Sequence, residues 1–329
     1  MRVVQIRRFG GPEVLEIAES ATPEPGSREV LVRVRAAGVN FADTLVRQNR
    51  YALKPELPSV LGHEAVGVVE ALGPGVEGLS VGMRVAAPLF ASGVFFGGYA
   101  EFVLIDADFA VPLPDTLSDE DAAALLVQGL TALYLVRQAP PRGKTVLVNA
   151  AAGGVGSLLV QLARRGGAKT VIAAASSASK LELARSLGAD GGVDYTRQDW
   201  VEQLRAATGG EGPDLVYESA GGAVTMASLE ALAPLGQLVI YGALNIQSFS
   251  LGVPDLLGLI FKNQSVTGFA LAPLLTVERL RSGLAELFQL AGDGRLRVTV
   301  GGVFPLARVS EAHRLLQERR TTGKLVLVA

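Results

Sequence analysis

Between Val146 and Arg165 the chain passes from an apolar strand, Val146-Leu-Val-Asn, through a glycine cluster into the helical run Ser157-Leu-Leu-Val-Gln-Leu-Ala-Arg-Arg. A strand that turns into a helix within a few residues needs glycine at the turn, and Gly153, Gly154 and Gly156 supply it. The same residues let a pyrophosphate approach the first helical N–H groups, where the helix dipole favours negative charge. Ala151 stands at the first position of the usual Gly-x-Gly-x-x-Gly pattern. A lone glycine cluster says little. Set between a strand and a helix, it points to a dinucleotide cradle made of Gly153, Gly154, Val155 and Gly156.

The surroundings repeat the theme. Val171-Ile-Ala-Ala reads as the next strand and Lys180-Leu-Glu-Leu-Ala-Arg-Ser-Leu as the next helix, closed by Gly188. Gly192-Val-Asp-Tyr, Asp214-Leu-Val-Tyr and Gln237-Leu-Val-Ile-Tyr continue the series. Apolar strands alternating with helices predict a parallel sheet covered on both faces. An NAD site would place an acid about 20 residues beyond the glycines, on the ribose 2′-hydroxyl. Here Ala174–Lys180 has no carboxylate and offers Ser176, Ser177 and Lys180 instead. Missing repulsion and added donors suit a 2′-phosphate, so NADP(H) is expected. The bland alternative for Lys180 is a solvated residue in the first turn of a helix.

The first 110 residues differ. Val30-Leu-Val-Arg-Val-Arg, Ala65-Val-Gly-Val-Val-Glu-Ala-Leu, Val81-Gly-Met-Arg-Val-Ala-Ala and Tyr99-Ala-Glu-Phe-Val-Leu-Ile are short β-like runs punctuated by Gly and Pro. They predict a compact β-rich unit. Ser118 caps a helix whose first turn holds three acids. The tail reads as a helix over 276–291, a strand near Arg297–Val300, a helix over 309–317 and a last strand, Lys324-Leu-Val-Leu-Val. Periodicity leaves open whether it extends the parallel sheet or returns to the first unit.

At 329 residues, 49% of them hydrophobic, the chain is long enough for two cores. A net charge of −2 gives no electrostatic footprint for a nucleic-acid backbone. There is no cysteine, which removes disulfides, thiolate metal sites and a Cys nucleophile together. No run reaches the ~18–20 apolar residues of a membrane span. No apolar leader follows Met1, so a cytoplasmic protein is expected.

Several segments together resemble the zinc-free quinone oxidoreductase, or zeta-crystallin-like, branch of the medium-chain dehydrogenase/reductase superfamily. They are Ala37-Gly-Val-Asn-Phe-Ala-Asp, Leu61-Gly-His-Glu-Ala-Val-Gly-Val-Val, Gly97-Gly-Tyr-Ala-Glu-Phe, Gln128-Gly-Leu-Thr-Ala, the glycine loop and Arg319-Arg-Thr-Thr-Gly-Lys. The resemblance implies an α/β protein: a doubly wound Rossmann sheet, residues 121–265, inserted into a GroES-like β-rich catalytic domain of residues 1–120 and 266–329, with the active site in the cleft. It implies Asn40 and Thr131 beside the nicotinamide, and Lys180, Tyr195 and Arg319 on the adenosine phosphates. It also implies Gly242 near the nicotinamide ribose, and a homodimer or homotetramer.

Zinc-dependent relatives carry Cys where Asn40 stands, and the cysteine-rich structural lobe is missing. Only His63, Glu64 and Asp43 remain as donors, so no metal is expected. His63 departs from the quinone-reductase pattern and reads as a cleft or core histidine. His313 reads as surface, and Arg47 and Arg50 as solvated or as receivers of an acidic substrate group. Without a Lewis acid, the accessible reactions are hydride transfers to quinones or activated C=C bonds. Tyr51 matches a tyrosine that serves as proton donor in related 2-enoyl-thioester reductases, and equally reads as a pocket wall. The leading expectation is an NADPH-dependent quinone or enone oxidoreductase. The alternatives are a 2-enoyl-thioester reductase and, of another class, an NADPH-binding structural or RNA-binding crystallin-like protein, which the absence of a basic stripe disfavours.

Overall fold

The computed structural model describes residues 1–242 and 250–329. In chain order the first part of the protein forms β1 (Arg2–Ile6), β2 (Glu16–Glu19), β3 (Glu29–Val39), α1 (Phe41–Arg47), β4 (Ser59–Val60), β5 (Ala65–Leu72), β6 (Arg84–Ala87), β7 (Phe102–Asp106), β8 (Val111–Pro112) and α2 (Asp119–Leu125). The middle continues with α3 (Val127–Gln138), β9 (Thr145–Val148), α4 (Gly154–Arg165), β10 (Thr170–Ala175), α5 (Ala178–Ser186), β11 (Gly191–Asp194), α6 (Trp200–Ala207), β12 (Leu215–Glu218), α7 (Ala223–Ala231), β13 (Gln237–Ile240), α8 (Val253–Lys262) and β14 (Ser265–Gly268). The tail adds α9 (Val277–Gly292), β15 (Val300–Pro305), α10 (Val309–Gln317) and β16 (Lys324–Val328). Contacts divide these into two compact units, residues 1–130 with 272–329, and residues 131–271.

The second unit is a six-stranded sheet ordered β11-β10-β9-β12-β13-β14, parallel throughout. In chain order this is 3-2-1-4-5-6, the doubly wound arrangement in which ligands bind where the strand order reverses. Its strands are apolar on both faces because helices cover both: Val146, Leu147 and Val148 are all buried. Leu147, Ile172, Val216 and Leu238 join Trp200, Leu204 and Leu229 from the covering helices in one core.

The first unit is β-rich. A seven-stranded sheet runs β15-β16-β3-β5-β6-β8, with β7 also paired to β3, and β2-β1-β4 form a smaller sheet. The open question about the tail is settled by β16, which pairs antiparallel with β3 and so returns the chain end to the first unit. Ser118 accepts the Asp121 N–H as the cap of α2. The strand expected near Arg297–Val300 instead begins at Val300 and runs to Pro305. A Cβ on Gly301 would sit 1.7 Å from the Thr322 carbonyl oxygen, so a residue type that disfavours strands is the one this strand requires. Among the described residues no helix is long and apolar enough to cross a membrane.

Candidate active site

In the second unit the glycine loop lies at the reversal of strand order. Beyond Val148 the backbone is held from both sides: Asn149 N–H donates to the Tyr217 carbonyl of β12 (3.0 Å), and Ala151 N–H to the Ala174 carbonyl of β10 (3.0 Å). Between these anchors Ala150 takes a positive φ of 51°. Gly153 then opens α4 with no side chain capping its N-terminus. A Cβ on Gly156 would stand 2.3 Å from the Ala150 carbonyl oxygen, so only glycine lets the helix start lie against the turn. At Gly153 the same carbonyl would be 3.2 Å away. The result is a backbone cradle that added side chains would fill, at the end of the sheet where a dinucleotide binds.

The neighbouring strand ends supply the rest. Ser177 caps α5 and accepts the Lys180 N–H, while Lys180 Nζ donates to Ser176 Oγ at 3.2 Å. Tyr195 follows β11, its N–H bonded to the Ala175 carbonyl. Gly153–Gly156, Ser176, Ser177, Lys180 and Tyr195 therefore share the carboxyl edge of β9, β10 and β11. Gly242 follows β13 at the same edge, packed so that a Cβ would meet Ser219 Cβ at 2.6 Å. Thr131 is buried in α3. Sequence reasoning missed Glu218, buried at the end of β12. It accepts hydrogen bonds from Asn149 Nδ2, the Gly221 N–H (2.7 Å) and Thr225 Oγ1 (2.9 Å), and so fixes the loops on either side of the cradle.

In the first unit the end of β3 runs straight into α1, and two linked polar clusters are buried there. Asn40, the residue before α1, donates Nδ2 to Glu64 Oε1 (2.8 Å) and accepts Lys324 Nζ on Oδ1 (2.7 Å). Lys324 also reaches Glu64 Oε1 at 2.5 Å, and Glu64 Oε2 accepts the Val127 N–H at 2.6 Å. The side chain of Asn40 is thus committed to this triad. Lys324 is only 1% exposed, and its place on an otherwise apolar strand was the sequence signal that it has a buried partner.

The second cluster centres on Asp43. Its Oδ2 accepts the Asn40 N–H (2.7 Å) and the Tyr99 hydroxyl (3.0 Å), and its Oδ1 lies 2.5 Å from His63 Nδ1. Burial pushes the Asp43 carboxyl up. The His63 ring beside it and the hydrogen bonds from His63 and Asn40 outweigh that and hold it below the usual carboxylate range. Burial, with Asp43 adjacent, raises Tyr99 well above the ordinary phenol.

Two sequence expectations are corrected in this cluster. His313 is fully buried rather than on the surface, because the polar-looking side of α10 faces Tyr99 and Arg47. Arg47 is fully buried rather than solvated: it binds His313 Nδ1 (3.1 Å), Gln317 Oε1 (2.7 Å) and the Gly10 carbonyl (3.1 Å). Tyr51 is half-exposed and meets the His63 ring edge-on, centroids 6.2 Å apart. Arg319 is exposed between α10 and β16.

A catalytic zinc needs three protein ligands and an open position. Among the described residues no three His, Cys, Asp or Glu side chains are placed to hold a metal. Both Glu64 oxygens and both Asp43 oxygens are already engaged. The residues present do not fit a zinc ion.

A GroES-like β-rich unit built from both chain ends, with a 3-2-1-4-5-6 parallel sheet between them, is the architecture of the medium-chain dehydrogenases and reductases. A family described as alcohol dehydrogenase GroES-like domain matches residues 26–115, and one described as zinc-binding dehydrogenase matches residues 154–289. The chain is 39% identical to a quinone oxidoreductase of Pseudomonas aeruginosa, over 99% of this chain and 98% of that one. It is 35% identical to a 2-haloacrylate reductase of a Burkholderia species, over 98% and 97%. The crystal structure of Escherichia coli quinone oxidoreductase complexed with NADPH superposes with a TM-score of 0.92 at 34% identity, covering all of both chains. The protein belongs to the quinone oxidoreductase branch of the medium-chain dehydrogenase/reductase superfamily.

Proposed function

We propose that this protein is an NADPH-dependent oxidoreductase that passes hydride to a quinone or enone without a metal. The observation that carries the reading is the end of β10. Where an NAD site would present an acid, Lys180 and Ser176 are hydrogen-bonded to each other beside a glycine cradle, and no carboxylate lies between Ala174 and Lys180. A 2′-phosphate finds a cation and hydroxyls there. Gly153, Gly154, Val155 and Gly156 would hold the pyrophosphate, Ser176, Ser177, Lys180 and Tyr195 the adenosine phosphates, and Gly242 would border the nicotinamide ribose. When bound, the reduced nicotinamide supplies the hydride. The protein's part is to orient the acceptor, exclude water and stabilise the oxyanion that hydride addition creates.

The acceptor class follows from the misfit to zinc. With no Lewis acid to stabilise an alkoxide, an acceptor that is already electron-poor is the suitable substrate. Likeness to a 2-haloacrylate reductase favours activated C=C bonds as a second acceptor class. We take the active species to be a homodimer, a reading supported by the exposed apolar side of α8.

The test is NADPH oxidation in the presence of a chelator, comparing kcat/KM for 1,4-benzoquinone with that for a 2-enoyl-CoA. The quinone is expected to be preferred by at least about tenfold, ~1.4 kcal/mol in transition-state stabilisation. A strong preference for the thioester would move the protein to the 2-enoyl-thioester reductases.

A further inference from the structure

The buried polar chain around Asp43 has a direction. Arg47 can only donate, so its Nη1–H makes His313 Nδ1 an acceptor. The His313 proton is therefore on Nε2, which donates to the Tyr99 oxygen at 3.2 Å, and the Tyr99 hydroxyl donates to Asp43. Burial, reinforced by Arg47, depresses His313 to a pKa of about 3, so its ring is neutral as this chain of donors requires. From the other side His63 places Nδ1 against the ionised carboxylate, and an Nδ1–H is the form that satisfies both groups. Every donor points at Asp43.

This arrangement leaves one atom unused. His63 is 6% exposed, and its Nε2 is buried without a hydrogen-bond partner among the described residues. A structural role explains Arg47, His313 and Gln317, which tie α1 to α10. It does not explain an imidazole whose Nδ1 is fixed on a buried carboxylate while Nε2 is left unpaired, at a cost of about 1–3 kcal/mol. A carboxylate that sets the tautomer and stabilises the imidazolium, with the far nitrogen free, is the arrangement of a general acid–base.

We propose that His63 is the proton donor to the reduced acceptor and that Asp43 is its positioning residue, an assignment that rests on the oxidoreductase reading above. Tyr51, on an irregular stretch between α1 and β4, meets the His63 ring edge-on. Phe96 covers another edge and offers no proton. Among the described residues, the titratable and charged groups around the ring are Asp43 and Tyr51 directly, with Tyr99, His313 and Arg47 behind Asp43. Glu64, next in the chain, is neutralised by Lys324. Hydride addition leaves the acceptor as an oxyanion. The Nε2–H bond of the His63 imidazolium breaks, its electron pair stays on nitrogen, and an O–H bond forms. The neutral ring keeps Nδ1–H on Asp43 and takes its next proton from water, so the acceptor gains one hydride and one proton.

The chain has two histidines, so long-range 1H–15N correlation spectra of the whole protein resolve both rings. We expect His313 as the Nε2–H tautomer and neutral His63 as the Nδ1–H tautomer. Because the donor is the protonated ring, wild-type kcat/KM for 1,4-benzoquinone falls toward alkaline pH. His63→Gln lowers kcat/KM by about 10²-fold at neutral pH and abolishes the alkaline fall. NADPH affinity, read by fluorescence, is unchanged. Tyr51→Phe keeps the fall. A His63 ring in the Nε2–H form overturns the assignment on wild-type protein alone, whether or not the variant folds. An alkaline fall that persists in His63→Gln also overturns it, while the oxidoreductase reading stands. Wild-type protein inactive on quinone and on enoyl thioester alike would remove both readings together.

Discussion

His313 lies between Tyr99 and Arg47 with no exposed surface, and burial, aided by the Arg47 charge, holds its pKa near 3. In the unfolded chain an ordinary histidine titrates near ~6.5. Between those values the unfolded state binds one proton more than the folded one, so stability falls as pH drops through that window. The slope is about 1.4 kcal/mol per pH unit. Asp43 acts lower down. Its depressed carboxyl contributes stability that is fully present above the unfolded carboxylate pKa and is lost progressively as pH falls from there through the folded one. Thermal midpoints taken between about pH 5 and 6 should therefore report mainly on the histidine, and His313→Gln should flatten that slope by roughly one proton's worth. An unchanged slope would show that another group controls the acid side. None of this was legible in the residue itself. A histidine beside Arg314 on an amphipathic helix reads as surface until the partners from α1 and the Gly-Gly-Tyr segment are in place.

At the scale of elements, helix α5 carries the residues proposed to set cofactor choice. Its cap Ser177 fixes where the helix begins, which puts Lys180 in the first turn, within reach of Ser176. Removing the cation should cost a 2′-phosphate a charge-assisted hydrogen bond, about 1.5–3 kcal/mol, and cost a 2′-hydroxyl much less. Lys180→Ala is thus expected to raise KM for NADPH by roughly tenfold or more while KM for NADH moves little, as steady-state kinetics with each cofactor would reveal. Equal effects would make Lys180 an ordinary solvated residue. Most of these elements were readable from sequence, because βα alternation, caps and closing glycines act locally: β10, α5 and α10 fall within a residue or two of their expected limits. The strand β15 was displaced for a tertiary reason. Gly301 is there because the Thr322 backbone passes too close for any side chain, and local propensity cannot register a neighbour 21 residues away.

For the whole molecule, α8 presents Ile260 and Phe261 to solvent at 66% and 81% exposure, with Val253, Leu256 and Leu257 beside them. A helix this apolar with no buried residue wants a partner surface. The homodimer should appear in light scattering on the native protein, and Ile260→Glu with Phe261→Asp should convert it to monomer without loss of thermal stability in the second unit. A wild-type monomer at tens of micromolar would remove the dimer reading. The sequence by itself determined the parallel sheet, the glycine cradle and the preference implied by the missing acid, since each depends on spacing along one stretch of chain. Folding decided the rest. It brought Asp43, His63, Tyr99 and His313 together from segments up to 270 residues apart, and it set Arg47, which can only donate, against His313 Nδ1. It also buried Lys324 on Glu64. A buried charge is acceptable only with its partner, and a partner from a distant segment is visible only once the chain has folded.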